Sequence, residues 1–342
     1  MREFRPVVAP PGRLVRLALV LDPRNGPTQT MRVAQMAERA GLQALWVNDR
    51  FMTSDGLARM EAWTMLTIAS MYTSKIRAGI MFSSGLRSPQ ATAAMVGSMD
   101  TVVDGRLELG VAAGWYEKEH VGLGLPFPDA AARIEEMGRF ARIVTTLARG
   151  EPMTDGGPAL GLPSPQPGGP TLTLEARGPR QLAIAVEIAD NILLPTRPTA
   201  EIAAMVETAR SAAAEGNRDP ESLGFAVQLP VSVGRTNAES DVRVEIDDML
   251  AQMDTRALGI HGDLERCQDI MIELAHLGIG EVRCVLPNTA DIDDVIAQLS
   301  ATTVGTKDVL KPGAARSEAP APPPGWGGPA RPQKQQSGSS QN

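Results

Sequence analysis

Leu172–Pro195 reads LTLEARGPRQLAIAVEIADNILLP, and this stretch decides the fold class. Thr171–Glu175 is a short run of apolar and β-branched residues, the signature of a buried strand. Gly178 and Pro179 interrupt it, and Pro179 suits the first position of a helix because an N–H there would have no intrahelical acceptor. Arg180–Ile188 follows as an amphipathic helix and Asn191–Leu194 as a second strand. Two strands joined through one helix run parallel and bring that helix onto a face of their sheet.

Outward from this unit the same cycle recurs in both directions. Strands are expected at Leu17–Leu21, Leu42–Val47, Lys75–Phe82 and Leu107–Ala112 before it, and at Leu223–Val233 and Glu281–Leu286 after it. Helical periodicity fills the intervals. Thr28–Ala40 carries Val33, Met36, Ala37 and Ala40 at helical spacing with Gly41 as a stop, and Ala130–Leu147 aligns Ile134, Met137, Ala141 and Val144. Further helices are expected at Met60–Tyr72, Pro89–Val103, Thr199–Ala214, Glu239–Met253, Leu264–Leu277 and Ile292–Leu299. Eight strand and helix units fit an α/β fold of the (β/α)8 TIM-barrel type with insertions. A doubly wound open sheet is the alternative. It is disfavoured because Leu21–Gly26, LDPRNG, follows the first strand where a dinucleotide fold would carry G-x-G-x-x-G.

The barrel is expected over residues 14–310, after an N-terminal arm of residues 1–13. Residues 311–342, KPGAARSEAPAPPPGWGGPARPQKQQSGSSQN, form a Pro/Gly-rich tail with little to bury and are expected to be disordered. Glu151–Pro170 joins a helix to a strand and so belongs to the bottom of the barrel. Residues 234–262 follow the seventh strand and are expected as a top-face insertion walling a substrate pocket.

A net charge of -7 with no dense Lys/Arg run argues against a nucleic-acid partner. Only two cysteines are present, Cys267 and Cys284, which suggests ordinary small hydrophobes rather than a disulfide scaffold. Leu14–Leu21, LVRLALVL, is too short to span a membrane, and what precedes it lacks the order of a signal peptide. The expectation is a cytoplasmic protein with no membrane partner.

Barrel chemistry sits at the C-terminal ends of the strands. Those ends read WVNDRF (Trp46–Phe51), MFSSG (Met81–Gly85), GVAAGWYEKEH (Gly110–His120), EARGPR (Glu175–Arg180) and LLPTRPT (Leu193–Thr199). At Gly178, Pro179 and Arg180 the amides of Arg180, Gln181 and Leu182, with the side chains of Arg180 and Arg177, suit a phosphate. The plainer reading is that Gly-Pro only opens a helix. Gly110–Gly114 has little bulk, which leaves space for a flat ring walled by Trp115 and Tyr116, although tight packing would use the same small residues. Asp49 is a proton donor or orienting group on one reading and an ion-pair partner of Arg50 or Arg87 on the other. Asn48 and His120, a candidate acid or base past the fourth strand, complete the catalytic set. Asp49 and Glu117 keep paired-carboxylate hydrolysis open. G-x-S-x-G is missing, and three histidines without H-x-x-x-H spacing give no signal of a metal centre.

Three segments, Gly41–Phe51, Val102–Met137 and Leu174–Thr196, resemble the bacterial luciferase-like superfamily, particularly its coenzyme F420-dependent branch with the methylenetetrahydromethanopterin reductases. The resemblance runs over Leu14–Ser300 and implies a TIM barrel with insertions, a homodimer, a small-molecule substrate, and F420 or FMN at the strand ends. It places Asn48 and Asp49 at an active-site position, where many relatives have histidine in place of this chain's Arg50. Ser83 and Ser84 stand where such F420 enzymes often have a non-prolyl cis peptide beneath the ring. Ala113 and Gly114 match the ring shelf, and Gly178, Pro179 and Arg180 match the phosphate-side turn; Trp115, Arg177 and Thr196 are further candidate cofactor contacts. Ala113 stands where sugar-phosphate dehydrogenase relatives carry a catalytic glutamate, which argues against that subclass. The function implied is an F420-dependent oxidoreductase moving a hydride between deazaflavin C5 and a small organic substrate. An FMN-dependent monooxygenase using O2 and a partner flavin reductase is the alternative, and a non-catalytic ligand-binding or structural barrel is the third.

Overall fold

The computed structural model describes residues 4–6, 9, 15–51, 59–154, 157, 162–236, 259–286 and 292–302. Its strands are β1 (Arg16–Val20), β2 (Ala44–Asn48), β3 (Arg77–Ser83), β4 (Leu107–Ala112), β5 (Thr171–Glu175), β6 (Asn191–Leu194), β7 (Gly224–Val233), β8 (Ile260–Gly262) and β9 (Glu281–Val285). Around them lie α1 (Pro27–Arg39), α2 (Ala62–Met71), α3 (Pro89–Val102), α4 (Glu117–Gly122), α5 (Ala130–Ala148), α6 (Pro179–Ile188), α7 (Thr199–Glu215), α8 (Leu264–His276) and α9 (Ile292–Ala301). β1 to β7 pair in sequence, β7 pairs with β9, and β9 pairs with β1, every pairing being parallel. The result is a closed parallel β-barrel surrounded by helices, not an open sheet. β8 stands outside the ring, extending the C-terminal end of β7 through Val231–Val233.

A side-chain period of two separates the two faces of each strand. Leu17, Leu19, Leu45, Val47, Ile80, Phe82, Leu109, Val111, Leu172 and Leu174 join one large core with helix residues such as Val33, Leu66, Val96, Phe140, Leu182 and Met205. The alternate residues Ala18, Val20, Trp46 and Val285 form a separate cluster inside the barrel. Interior room for large side chains comes from glycine: a Cβ on Gly79 would overlap the Trp46 ring, and one on Gly110 would overlap Met81 Sδ. The helix ends are marked locally, with Asp129 accepting from the Ala132 amide at 2.8 Å and Asp263 from the Arg266 amide at 3.0 Å.

The lower interior is ionic. Arg16 on β1 donates to both oxygens of Glu108 on β4, at 2.8 and 2.6 Å, and its Nε lies 2.8 Å from Glu281 on β9. Arg77 reaches the same Glu108. Arg283 donates to Glu281 at 2.6 Å and to Thr173 at 3.1 Å, with its guanidinium 3.3 Å from the centre of the Trp46 ring. Below this plug the backbone of Arg5 donates to Asp190 at 2.9 Å, and Phe4 stacks under Arg218 at 3.4 Å. Gln166, from the long Glu151–Pro170 connection, bonds Asp100 and the Leu107 carbonyl, which sets that connection at the bottom of the barrel.

Most element ends agree with the sequence reading to within a few residues. α4 and β8 were not expected, being only a turn and three residues long. The expected helix at Glu239–Met253 and the tail 311–342 lie outside the described residues, as do the arm apart from residues 4–6 and 9 and the insertion apart from 234–236 and 259–262. Cys267 and Cys284 are buried free thiols. No helix among the described residues is long and apolar enough to cross a membrane.

Burial works against the charge of Glu108, but Arg16 and Arg77 outweigh it and bring the carboxyl from 4.5 down to about 2. A depressed acid adds stability that is fully present above its unfolded value and is lost as pH falls through the folded one, here from 4.5 towards about 2. Glu108→Gln leaves two guanidiniums without their shared counter-charge, so urea denaturation near neutral pH is expected to show a loss of about 3–5 kcal/mol. The acid-side slope in that window should flatten in the same variant.

Candidate functional site

The C-terminal ends of the strands surround a cleft of about 530 Å³, within the span of about 300–1,000 Å³ usual for small-molecule sites. Its floor is laid by strand ends: Asn48 from β2, Met81 and Ser83 from β3, Ala112 from β4 and Leu193 from β6. Gly114 turns the chain out of β4 with φ +71°, a conformation that glycine adopts without steric cost. Trp115, 53% exposed, stands beside it on the rim.

Of the residues singled out in the sequence, Asn48, Asp49, Ser83, Gly114, Trp115, Arg177 and Thr196 all line this cleft. Asp49 is 1% exposed, and its carboxylate is held by Arg87, whose Nε and Nη2 donate at 2.7 Å each. The Asp49–Arg87 pairing is thus the one formed, and Arg87 also reaches Glu61 at the start of α2. Burial pushes the Asp49 carboxyl up from its ordinary range, against the hydrogen bonds and charge of Arg87. The Ser83 hydroxyl donates to the Asp49 carbonyl at 3.3 Å, and the Thr196 hydroxyl donates to the Gln228 carbonyl at 2.9 Å, tying the rims of β6 and β7.

The other candidates lie off the cleft lining. Ala113 is buried in the core between barrel and helices, so the flat part of the floor is made by Ala112 and Gly114. Gly110 serves Met81 rather than a ring. Ser84 is buried in a short 3-10 turn, Ser84–Leu86, and the cis peptide implied at Ser83–Ser84 is not present, because every peptide bond among the described residues is trans. His120 is 2% exposed, with Nδ1 3.2 Å from the Tyr116 carbonyl and its ring edge-on to Phe127.

Gly178 caps α6 with Pro179 at its first turn, in extended backbone at φ −161°, so the unusual dihedral that glycine would allow is not used. Nothing lies within 4 Å of the position a Cβ would take there. The Leu182 amide, expected to be available, donates to the Gly178 carbonyl at 3.0 Å. Arg180 is more than half exposed and pairs with Glu135 on α5, and the basic side chain that reaches the cleft from this turn is Arg177, held 3.0 Å from Glu175.

Reading strand ends for nucleophiles and ring shelves passed over part of the lining. Asp22, Arg59, Arg197 and Gln228 belong to the cleft, and Arg50 does as well, entering the sequence reading only as a possible partner of Asp49 and a departure from relatives. The Arg50 guanidinium lies 4.6 Å from the Trp115 ring centre and 4.8 Å from that of Tyr116. The signal that could have found it is this aromatic pair placed to stack on a cation.

A closed parallel barrel with a cleft at its strand ends defines the class, an α/β-barrel protein. Residues 14–277 match the family model of the luciferase-like monooxygenases, and the chain belongs to that family. Family membership supports an oxidoreductase or monooxygenase-like enzymatic role. A 5,10-methylenetetrahydromethanopterin reductase of Methanolobus tindarius is 22% identical over 235 residues, 67% of this chain and 69% of that protein. The coenzyme F420-dependent tetrahydromethanopterin reductase of Methanopyrus kandleri superposes with TM-score 0.68 at 20% identity, over 84% of this chain and 97% of that one. A riboflavin lyase bound to modified FMN and riboflavin gives 0.70 at 16% identity, over 90% and 94%. The structural likenesses establish the fold, and the matches as a group span F420 and FMN proteins.

Arg87, after the 3-10 turn that follows β3, joins the end of β2 to the start of α2 through Asp49 and Glu61. Arg87→Met strips the counter-ion from a carboxylate that is 1% exposed, and chemical denaturation is expected to show a loss of about 3–5 kcal/mol.

Proposed function

We propose that the protein is an F420-dependent oxidoreductase that moves a hydride between deazaflavin C5 and a small organic substrate, on a (β/α)8 barrel with insertions. The observation that carries this reading is the floor of Ser83, Ala112 and Gly114, which presents backbone and small side chains to a cleft flanked by Arg177. Such a surface fits a flat ring with an anionic side chain, because these three positions add little bulk over the backbone and a guanidinium meets the anion. When bound, the deazaflavin supplies the hydride chemistry.

The chain's own residues have simpler tasks. Asn48 and Ser83 offer polar groups at the floor, and Asp49, fixed by Arg87, holds the end of β2 against β3. Thr196 and Gln228 keep the opposite rim closed by their 2.9 Å hydrogen bond. Arg177, in the turn that leads into α6, faces the anionic end of the cofactor. The likeness to an FMN-bound riboflavin lyase supports FMN as a second reading, in which a reduced flavin and O2 would serve a monooxygenase.

Parallel titrations with F420 and FMN, followed by absorbance and fluorescence, decide between them: saturable binding of F420 with at least tenfold preference is expected, and binding of FMN alone transfers the assignment to the monooxygenase. Ala112 is partly exposed in the floor. Ala112→Phe should therefore keep its fold by circular dichroism yet lose cofactor affinity by at least tenfold, since Ala112 packs on Met81 and Leu193 only from the cleft side and the added ring enters the cleft.

A further inference from the structure

Seven charged side chains line the cleft, and most of them are already matched. Asp22 is held by Arg24 at 2.6 Å, Asp49 by Arg87 at 2.7 Å, and Glu175 by Arg177 at 3.0 Å, while Arg197, which has Glu201 only at 3.9 Å, is half exposed and open to solvent. Arg50 and Arg59 differ. The guanidinium of Arg59 has no hydrogen-bond or ion-pair partner among the described residues, and its Nε is buried. Arg50 has a buried Nη2 that is likewise unmatched, and its nearest carboxylate, Glu119, lies 3.9 Å away and already accepts from the Phe51 amide at 2.6 Å. Stacking on Trp115 and Tyr116 occupies the face of the Arg50 guanidinium and leaves its N–H edge for bonding. Such an edge matches two oxygens of a carboxylate or phosphate.

The two cations also work against each other. Burial lowers the pKa of both and the charge of Arg50 lowers that of Arg59 further, and the carboxylates of Glu119 and, for Arg59, Asp22 act the other way without offsetting the fall. Arginine stays charged through such shifts. The arrangement therefore carries a desolvation cost that an anion reaching the buried N–H groups of Arg50 and Arg59 would lower.

We infer that Arg50 and Arg59 form an oxyanion-recognition site on the β1–β2 side of the cleft, and that the molecule oxidised or reduced there carries a carboxylate or phosphate. The second half of this inference rests on the function proposed above; the anion site itself does not.

Inorganic phosphate is the probe, titrated calorimetrically at low ionic strength into the parent, Arg59→Gln and Arg59→Lys. The parent is expected to bind, Arg59→Gln to lose at least tenfold in affinity, and Arg59→Lys to recover part of it. The unliganded Arg59→Gln protein should melt at or above the parent temperature, because it loses a desolvated like charge and no hydrogen bond. A parent that binds no phosphate, an unchanged affinity in Arg59→Gln, or a clear fall in its melting temperature overturns the site. F420 and FMN titrated into the same proteins identify the bearer of the anion. Cofactor affinity within twofold of the parent in Arg59→Gln assigns the anion to the substrate, and a loss parallel to that for phosphate overturns that assignment in favour of the cofactor. Phosphate binding through Arg59 in a parent that takes neither cofactor removes the proposed function and leaves the anion site standing.

Discussion

The ion-paired plug inside the barrel is the constraint on which the rest depends. Arg16 lies on β1, Glu108 on β4 and Glu281 on β9, so one guanidinium ties strands from distant parts of the ring across its interior. A buried charge tolerates little displacement, because losing its partner in a medium of low dielectric costs several kcal/mol. A one-residue slip of any of these strands would turn its charge outward into the leucine-rich layer beneath the helices. The contact of Arg16 Nε with Glu281 is close at 2.8 Å but poorly directed, so its contribution is more Coulombic than that of the two-pronged Arg16–Glu108 contact. Register set at the bottom is inherited at the top, where the same strands deliver Asn48, Ser83 and Ala112 to one floor.

Above the plug the interior changes from charge to bulk and then to space. Arg283 lies against Trp46, and Gly79 and Gly110 admit Trp46 and Met81 by having no Cβ. Those two large side chains close the barrel under the cleft, and Met81 itself forms part of the floor. Small residues on β3 and β4 therefore serve two purposes: lower down they accommodate protein side chains, and at Ala112 and Gly114 they face the open cleft. Sequence cannot separate these purposes, since GVAAG carries the same composition at both levels.

The fold was largely legible for a physical reason. Strands of a closed parallel barrel are buried on both faces, so Leu107–Ala112, Thr171–Glu175 and Asn191–Leu194 stand out as apolar runs, and the structure gives each the same bounds. α4 has a single turn and two exposed polar residues at its start, Glu117 and Lys118, too little for a helical period to show. The site was legible in part. Strand-end residues such as Asn48, Ser83, Gly114 and Thr196 come together because the barrel brings all strand ends to one rim. Arg180 was a different matter: one position further along α6 than Pro179, its side chain meets Glu135 of α5 outside the cleft, and only the rotation of the helix on the barrel decides that. Arg59 belongs to no strand end, so a reading confined to strand ends had no means of reaching it.

The contrast between the two ends of the barrel is itself informative. At the bottom, three arginines share two buried glutamates, and Glu108 is held as an anion between Arg16 and Arg77. On the β1–β2 side of the cleft, Arg50 Nη2 and Arg59 Nε are buried without a hydrogen-bond partner. A chain selected for stability alone would gain by giving these cations carboxylates, as it does elsewhere along the same rim with Asp22, Asp49 and Glu175. Strain and unmet polarity persist where binding relieves them, because the free energy withheld from folding is then recovered when a complementary group arrives. The barrel thus divides its charges by task, using matched ones to fix strand register and unmatched ones to recognise what enters the cleft.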